Sequence, residues 1–496
     1  MSNDAGPLQV TAWPFIPQAA GSDEMQVIVV SWTGRDGPPP DIATIEGTTY
    51  RLSWQGEYGS GDSGQGLRCL LTIPREHGRR TVRVQAARQG GSPAREVAAS
   101  CTVRDARHWE LCLMMQSHVD IGYTEHPDIL ADAHGEYIAK ALDIMSASDD
   151  RPPEEQFRWT CEGSWTVEQF LRLHPERATE FVRRAQEGRL EVTALYANLT
   201  DLFSEDLLRR SVEYAVALCK KYRIPLSTAC NHDVNGWGWA LPRILRDVGV
   251  RYLSTAINET RALGVRPRPA PFRWEAPDGN GVLLWHDGSY LTGNTLRLHH
   301  SAREAEPLVA SFLNRLVGEE YPHDRVLLKM SGIQGDSMPP TPGVCNVVAD
   351  WNRRWEWPRL RLVTARDWFS HVESNWPRVI PCLRQAWPDW WADGNGSALY
   401  ESALARATQA RLADLETQRI VIREQLGVDL GRLNQRRGHI SCLSAGAWWG
   451  RLLHRRSGWA DASGHGSGRR HGHRLALRSK VVCCGRHRVC GCRGQP

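Results

Sequence analysis

The stretch Leu111-Cys-Leu-Met-Met115-Gln-Ser-His118-Val-Asp120-Ile-Gly122-Tyr123 joins an uninterrupted apolar run to a short polar segment. Continuous apolar runs of this length are typical of strands that are buried on both faces, as in parallel sheets. Similar runs alternate along the chain with longer amphipathic segments, such as residues 175–188. This alternation favours an α/β domain that starts near His108.

The polar end of this stretch carries an imidazole and a carboxylate, His118 and Asp120, two positions apart. Residues i and i+2 of an extended strand point to the same face, so both side chains can converge on one ion. An H-x-D pair alone is more often a polar strand end than a metal site. A further ligand is needed to distinguish the two.

The segment Ala229-Cys-Asn-His-Asp233-Val-Asn-Gly-Trp237-Gly-Trp239 supplies a candidate partner. An aspartate at a strand end can serve both as an anionic metal ligand and as a nucleophile. Aromatic rings stack on the apolar faces of sugars, and Tyr123, Trp237 and Trp239 flank the candidate ligands closely enough to do so. His232 is either a hydrogen-bonding neighbour behind Asp233 or a solvated one. The same region supplies further aromatic rings, most of which are expected to be ordinary core: Trp159, Trp165, Tyr196, Trp274, Trp285 and Tyr290.

The two ends of the chain differ from this central part. Residues 1–105 contain short alternating runs, such as 26–32 and 81–85, between Gly- and Pro-rich turns, which predicts an immunoglobulin-like β-sandwich. Residues 403–425 have helix formers with apolar residues at helical spacing and predict one long helix, the start of a helical bundle over 401–435. Residues 436–496 are a basic tail of Arg, Gly, His and Cys that we interpret as an out-of-frame or disordered segment, with a genuine basic tail as the alternative.

Charge and hydropathy exclude some classes of function. The formal charge of +5 depends on the tail, because residues 1–435 carry 48 basic and 55 acidic side chains. A net acidic body argues against nucleic acid as a partner. No run approaches the roughly 20 apolar residues of a membrane-spanning helix, and MSNDAGPLQV lacks the features of a secretory signal. We therefore expect a cytoplasmic protein without a membrane partner.

Several motifs follow one another between about Trp109 and Ser397. They are His118-Val-Asp-Ile-Gly-Tyr123, Arg158-Trp-Thr-Cys-Glu162 followed by Trp165, Gly188-Arg-Leu-Glu-Val192, the Asp233 segment with Leu241-Pro-Arg-Ile-Leu245, Phe272-Arg-Trp-Glu-Ala-Pro-Asp-Gly279, and Lys329-Met-Ser-Gly-Ile-Gln-Gly-Asp336. In this order they resemble the catalytic domain of family 38 glycoside hydrolases, the α-mannosidases. The resemblance assigns residues 106–400 to such a domain.

The resemblance implies a seven-stranded (β/α) barrel, hence a multidomain chain of sandwich, barrel and helical start. It also implies a zinc ion held by His118, Asp120, Asp233 and a later histidine, and a retaining mechanism on α-mannosides with Asp233 as nucleophile. Asp336 is the candidate acid/base, with Asp287 as the fallback. The family's paired acidic residues are here Asp336-Ser337, which leaves the register open by one position.

Two departures from the family pattern limit this expectation. The later zinc-ligand histidine has no counterpart before the tail, and the family's C-terminal β domains have none either. Weaker zinc binding is therefore expected, together with exposed apolar side chains at Ile420, Val421 and Leu426. The alternatives are an inactive carbohydrate-binding relative and a metal-dependent glycan deacetylase. The oligomeric state is open.

Overall fold

The computed structural model describes eleven segments of the chain, which are residues 7–18, 24–34, 38–56, 66–89, 96–200, 202–234, 237–257, 269–333, 335–376, 380–386 and 399–427. The predictions for residues 428–435 and for the basic tail, 436–496, lie outside these segments. So do Asn235 and Gly236 of the Asp233 segment.

The amino-terminal region consists of two four-stranded antiparallel sheets. In spatial order, one contains β1 (Leu8–Trp13), β3 (Met25–Trp32), β7 (Leu67–Pro74) and β6 (Gln55–Gly56), and the other contains β5 (Thr48–Arg51), β4 (Ile42–Ile45), β8 (Arg79–Ala87) and β9 (Val97–Arg104). Ile28 of β3 and Val84 of β8 belong to the same buried cluster, so the two sheets share a core. The strands predicted at 26–32 and 81–85 are confirmed, and the sandwich topology stays a prediction.

The central region alternates strands with helices, which confirms the predicted α/β class. Its strands are β10 (Glu110–Gln116), β11 (Trp159–Cys161), β12 (Leu190–Val192), β13 (Thr228–Asp233), β14 (Tyr252–Ile257), β15 (Ala270–Glu275), β16 (Gly281–Asp287), β17 (Arg325–Ser331), β18 (Trp355–Trp357), β19 (Arg359–Val363) and β20 (Cys382–Leu383). Its helices are α1 (Pro127–Ala147), α2 (Ser164–Leu173), α3 (Ala178–Gln186), α4 (Glu205–Tyr222), α5 (Ala240–Asp247), α6 (Thr292–Thr295), α7 (Ala302–Gly318), α8 (Gly343–Arg354) and α9 (Ala365–Asn375), with a 3₁₀ turn at Pro175–Arg177.

The strands of this region are mostly parallel. β10 lies between β17 and β19, β11 pairs with β12, and β14 lies between β13 and β16, all in parallel. β15 is antiparallel to β16 and carries β20, and β18 pairs with β2 (Ile16–Pro17) of the amino-terminal region. The ladders of the described strands form separate sheets, so closure into a seven-stranded barrel stays a prediction.

Polar residues collect where the parallel strands end. His118 follows β10, Glu162 follows β11, Asp233 ends β13, Asp287 ends β16 and Asp336 follows β17. The carboxyl ends of parallel strands meet at one edge of a sheet, which is where α/β proteins bind their ligands. The strand order therefore places all five residues at the carboxyl ends of parallel strands.

The predicted long helix is confirmed as α10 (Leu399–Leu426). It contacts the start of α4, where the Ser204 amide donates to Gln409 Oε1 (2.8 Å) and Arg210 pairs with Glu416 (3.0 Å). The expected exposure of Ile420, Val421 and Leu426 is also confirmed. None of the helices in the described segments has the length and apolar character that crossing a membrane requires.

Candidate metal and active site

His118, Asp120 and Asp233 converge in three dimensions. One ligand atom from each lies within 4.8 Å of the other two, and no other group of three or more His, Cys, Asp or Glu within the described residues meets this condition. His118 Nε2 lies 3.3 Å from Asp120 Oδ1 and 3.9 Å from Asp233 Oδ2. We call these three residues the ligand triad.

The H-x-D pair converges for a different reason than predicted. β10 ends at Gln116, so His118 and Asp120 lie in the segment after the strand and not on one face of it. That segment turns back at once, because the Tyr123 amide donates to Asp120 O (3.2 Å) and Gly122 has a φ of 80°. The expectation of an extended strand was wrong, and a turn brings the two side chains together.

Glu162 fixes the orientation of His118. The imidazole donates from Nδ1 to Glu162 Oε1 (2.9 Å), and the carboxylate also accepts from the amide of Val119 (3.0 Å) and from Asn198 Nδ2 (3.1 Å). Because a carboxylate only accepts, the Nδ1 proton is committed and Nε2 faces the two aspartates. His118 Nε2 is buried and makes no hydrogen bond of good geometry.

These charges govern the protonation of His118. Burial alone would lower the pKa of His118, but the negative charges of Glu162 and Asp120 outweigh it and raise the pKa well above its ordinary value. Burial likewise opposes ionisation of Glu162, yet His118 and His232 hold the pKa of Glu162 below its ordinary value. The site thus favours a positive charge at Nε2, which is either a proton or a metal ion.

The ligand triad fits a zinc ion. Tetrahedral ligands at 2.0–2.1 Å from zinc lie about 3.3 Å apart, close to the separation between His118 Nε2 and Asp120 Oδ1. An imidazole nitrogen and carboxylate oxygens are suitable donors, and a carboxylate behind the histidine is the usual support for such a ligand. The described residues add no fourth His, Cys, Asp or Glu to this group.

Asp233 lies in a strained turn. It is the last residue of β13 and has a φ of 64°, and the Val234 amide donates across it to His232 O (2.7 Å). Asn231 holds the surrounding chain, since its side chain accepts from the Leu199 amide (2.6 Å) and donates to Val234 O (2.5 Å). The predicted strand end is therefore confirmed, with a sharp turn at the carboxylate.

His232 is a buried neighbour and not a solvated one. Its Nδ1 lies 3.0 Å from Glu162 Oε1 and its Nε2 lies 3.1 Å from Ser254 Oγ. Burial and the positive charge of Lys329 lower the pKa of His232 to about 4, against the opposing effect of Glu162. A neutral His232 therefore shares the Glu162 carboxylate with His118.

Asp336 is electrostatically coupled to the triad, whereas Asp287 is not. Burial raises the pKa of Asp336, and the negative charges of Asp120 and Glu162 add to this effect while His118 opposes it. Burial also raises the pKa of Asp287, to about 6, but there the opposing charge is Lys329. Asp336 therefore stays the candidate acid/base, since the charges of the site act on it.

Tyr290 lies at the site, although sequence reasoning did not single it out among the aromatic residues of this region. Its ring is stacked on His118 with centroids 4.1 Å apart, and it is largely buried. Burial raises the pKa of Tyr290, and the charges of Asp233 and Asp336 raise it further. Its hydroxyl therefore stays protonated under the influence of Asp233 and Asp336, the two carboxylates that the candidate chemistry requires.

The three predicted sugar-stacking residues differ in exposure. Tyr123 is 54% exposed and Trp239 is 41% exposed. Trp237 is only 3% exposed and packs against Trp274, with ring centroids 6.1 Å apart. The indole of Trp237 is thus part of the core, which corrects its predicted role as a stacking surface.

The comparison with protein families agrees with this site. The model of the N-terminal domain of glycosyl hydrolases family 38 matches residues 108–393, which is more than half of the chain. The matched range contains the ligand triad, Glu162, Tyr290 and Asp336. The chain belongs to glycosyl hydrolases family 38, which confirms the resemblance.

Solved structures give more distant similarities. An α-mannosidase from Enterococcus faecalis V583 is 16% identical, with a TM-score of 0.47 over 56% of this chain and 31% of that one. A family 38 glycosyl hydrolase from Enterococcus faecalis is 13% identical, with a TM-score of 0.41 over 56% and 29%. The chain thus spans less than a third of the length of these two proteins. No curated protein matches this chain.

Proposed function

We propose that this chain is a zinc-dependent retaining glycoside hydrolase that acts on α-mannosides. The observation that carries the proposal concerns His118 Nε2. This nitrogen is buried, makes no hydrogen bond of good geometry and faces Asp120 and Asp233, while Nδ1 of the same ring donates to Glu162. A zinc ion bound by His118, Asp120 and Asp233 would supply Lewis-acid stabilisation to sugar hydroxyls.

In the first step, the Asp233 carboxylate attacks the anomeric carbon and the bond to the leaving oxygen breaks. Asp336 transfers its proton to that oxygen, so the alcohol leaves neutral and a covalent glycosyl-enzyme ester remains. In the second step, Asp336 takes a proton from water as the water attacks the same carbon and releases Asp233. Two displacements at one carbon retain its configuration.

The surrounding residues orient these groups. Glu162 sets the tautomer of His118, and Asn231 holds the turn that carries Asp233. Tyr290 lies against the His118 ring and supplies a protonated hydroxyl beside the carboxylates. Tyr123 and Trp239 are exposed aromatic surfaces on which a sugar can stack. We also propose the multidomain layout of sandwich, barrel and helical start, and a cytoplasmic location.

Hydrolysis of an aryl α-mannoside by the purified chain tests this proposal. Turnover should be lost on adding a chelator, restored by zinc and absent from Asp233→Ala. A fluorinated mannosyl fluoride, which slows the second step, should leave a mass adduct on the peptide containing Asp233. No turnover by folded, zinc-loaded protein would refute the hydrolase assignment and favour an inactive sugar-binding relative, and deacetylation of a glycan without an adduct would favour the deacetylase.

A further inference from the structure

Exposed apolar side chains in the described residues are concentrated in two places. Seven of the twelve large ones lie on α10. The other five follow strands that carry the site, and they are Tyr123, Ile129, Trp239, Ile333 and Met338. Exposed apolar side chains that form a contiguous patch mark surfaces that contact ligands or partners.

Hydrogen bonds and a close backbone approach bring three of these residues together. Thr124 Oγ1 donates to Ser337 Oγ (3.2 Å), and the Ser337 amide donates to His118 O (2.9 Å), so the segment after β10 lies against the segment after β17. Tyr123 and Met338 are the sequence neighbours of the bonded pair. A Cβ on Gly332 would lie 2.4 Å from Met338 O, so the backbone beside Ile333 touches that of Met338. We call Ile333 and Met338 the rim, and Tyr123 lies beside it in the segment after β10.

The rim borders the proposed acid. Asp336 lies between Ile333 and Met338 in sequence, and both of these side chains are about two-fifths exposed. The acid must reach the leaving oxygen, so the group attached to that oxygen must come within reach of the residues on either side of the acid.

The chemistry of the rim favours one class of leaving group. Ile333 and Met338 have no hydrogen-bond donor and no charge, so a sugar placed against them would lose water without regaining hydrogen bonds. An aryl or alkyl group would instead be removed from water at no such cost. We propose that the rim is the leaving-group subsite and selects α-glycosides of apolar alcohols. This inference rests on the proposed function.

The test is calorimetric binding of two cleavage-resistant analogues, phenyl and methyl 1-thio-α-mannoside, to the zinc-loaded full chain. The phenyl compound should bind about tenfold more tightly, at the low end of the range for apolar discrimination because the rim is partly open. The variant Ile333→Thr/Met338→Gln, which changes each side chain by one heavy atom and makes both polar, should abolish this preference. Ile420→Thr on α10 is the matched control, since Ile420 is also exposed, and should retain it.

Binding and turnover separate this inference from the proposed function. Equal affinity for the two analogues, or binding of neither, overturns the subsite. A phenyl preference that survives in Ile333→Thr/Met338→Gln overturns it as well. A preference that this variant loses, in a protein that hydrolyses no O-mannoside, supports the rim as the surface that binds the apolar group of the glycoside and refutes the hydrolase assignment.

Discussion

Replacing Glu162 with glutamine removes one charge from behind His118 at almost constant volume. Donors reach both oxygens of this carboxylate: His118 Nδ1 and Asn198 Nδ2 at Oε1, and the Val119 amide at Oε2. The amide nitrogen of a glutamine would therefore face a donor in either orientation. An unpaired buried polar group of this kind costs about 1–3 kcal/mol.

The effect on zinc has two opposing parts. Loss of the Glu162 charge makes His118 a weaker ligand, and such changes typically reduce metal affinity by about 10- to 100-fold, or roughly 1.4–2.7 kcal/mol. The same loss lowers the pKa of His118, because Glu162 is the largest influence that raises it. A less basic His118 competes less with zinc for a proton, and this relief is confined to pH values below the pKa of His118 in the parent.

The two parts can be separated by pH. We expect Glu162→Gln to raise the zinc Kd by about 10- to 100-fold at pH 8.5 and by less at pH 6.5. The assay is competition of the metal-free protein with a chromophoric chelator. Glu191→Gln is the control, since Glu191 is equally buried but accepts from the Arg366 amide and contacts no member of the triad. A zinc Kd within twofold of the parent at both pH values would refute the argument that Glu162 supports the ligand.

Two further changes follow from the same structure. His134 is buried, and burial lowers its pKa to about 4, so below pH 6.5 the unfolded chain binds a proton that the folded chain excludes. The free energy of unfolding should therefore fall by up to about 3 kcal/mol between pH 6.5 and 4. In urea titrations His134→Phe should make this pH dependence shallower, and an unchanged pH dependence would contradict the reasoning. Asp336→Asn should reduce kcat/KM about 10²- to 10⁴-fold for methyl α-mannoside but little for 2,4-dinitrophenyl α-mannoside, whose leaving group needs no proton. An equal loss on both substrates would show that Asp336 is not the acid. A loss confined to methyl α-mannoside in Asp287→Asn would assign that role to Asp287.

The sequence predicted the residues whose position depends on strand ends. Asp233 closes a buried apolar strand, and the end of a parallel strand fixes where its side chain lies. Glu162 directly follows β11 and carries the same signal, yet it was noted only as part of a motif. A strand-end rule applied to every parallel strand would have found it.

The remaining residues depend on tertiary contacts that have no local signal. Tyr290 reaches His118 from the segment after β16, and the stacking of the two rings follows only from the packing of distant strands. The prediction for Trp237 was wrong in the opposite direction, because its proximity in sequence to Asp233 suggested a place at the site. The chain after Asp233 instead directs the indole onto Trp274 in the core.

Hydrogen bonds of two asparagines, Asn231 and Asn198, hold the strained turn at Asp233. A non-glycine residue with positive φ costs about 1–3 kcal/mol and persists only where the surroundings fix it. Here Asn231 holds the backbone on both sides of the turn, and Asn198 accepts from the His232 amide (3.0 Å) while also donating to Glu162. The same two asparagines therefore connect the proposed nucleophile with the carboxylate that orients His118. Because one hydrogen-bond network fixes both, the positions of the proposed nucleophile and of the metal ligand are set together.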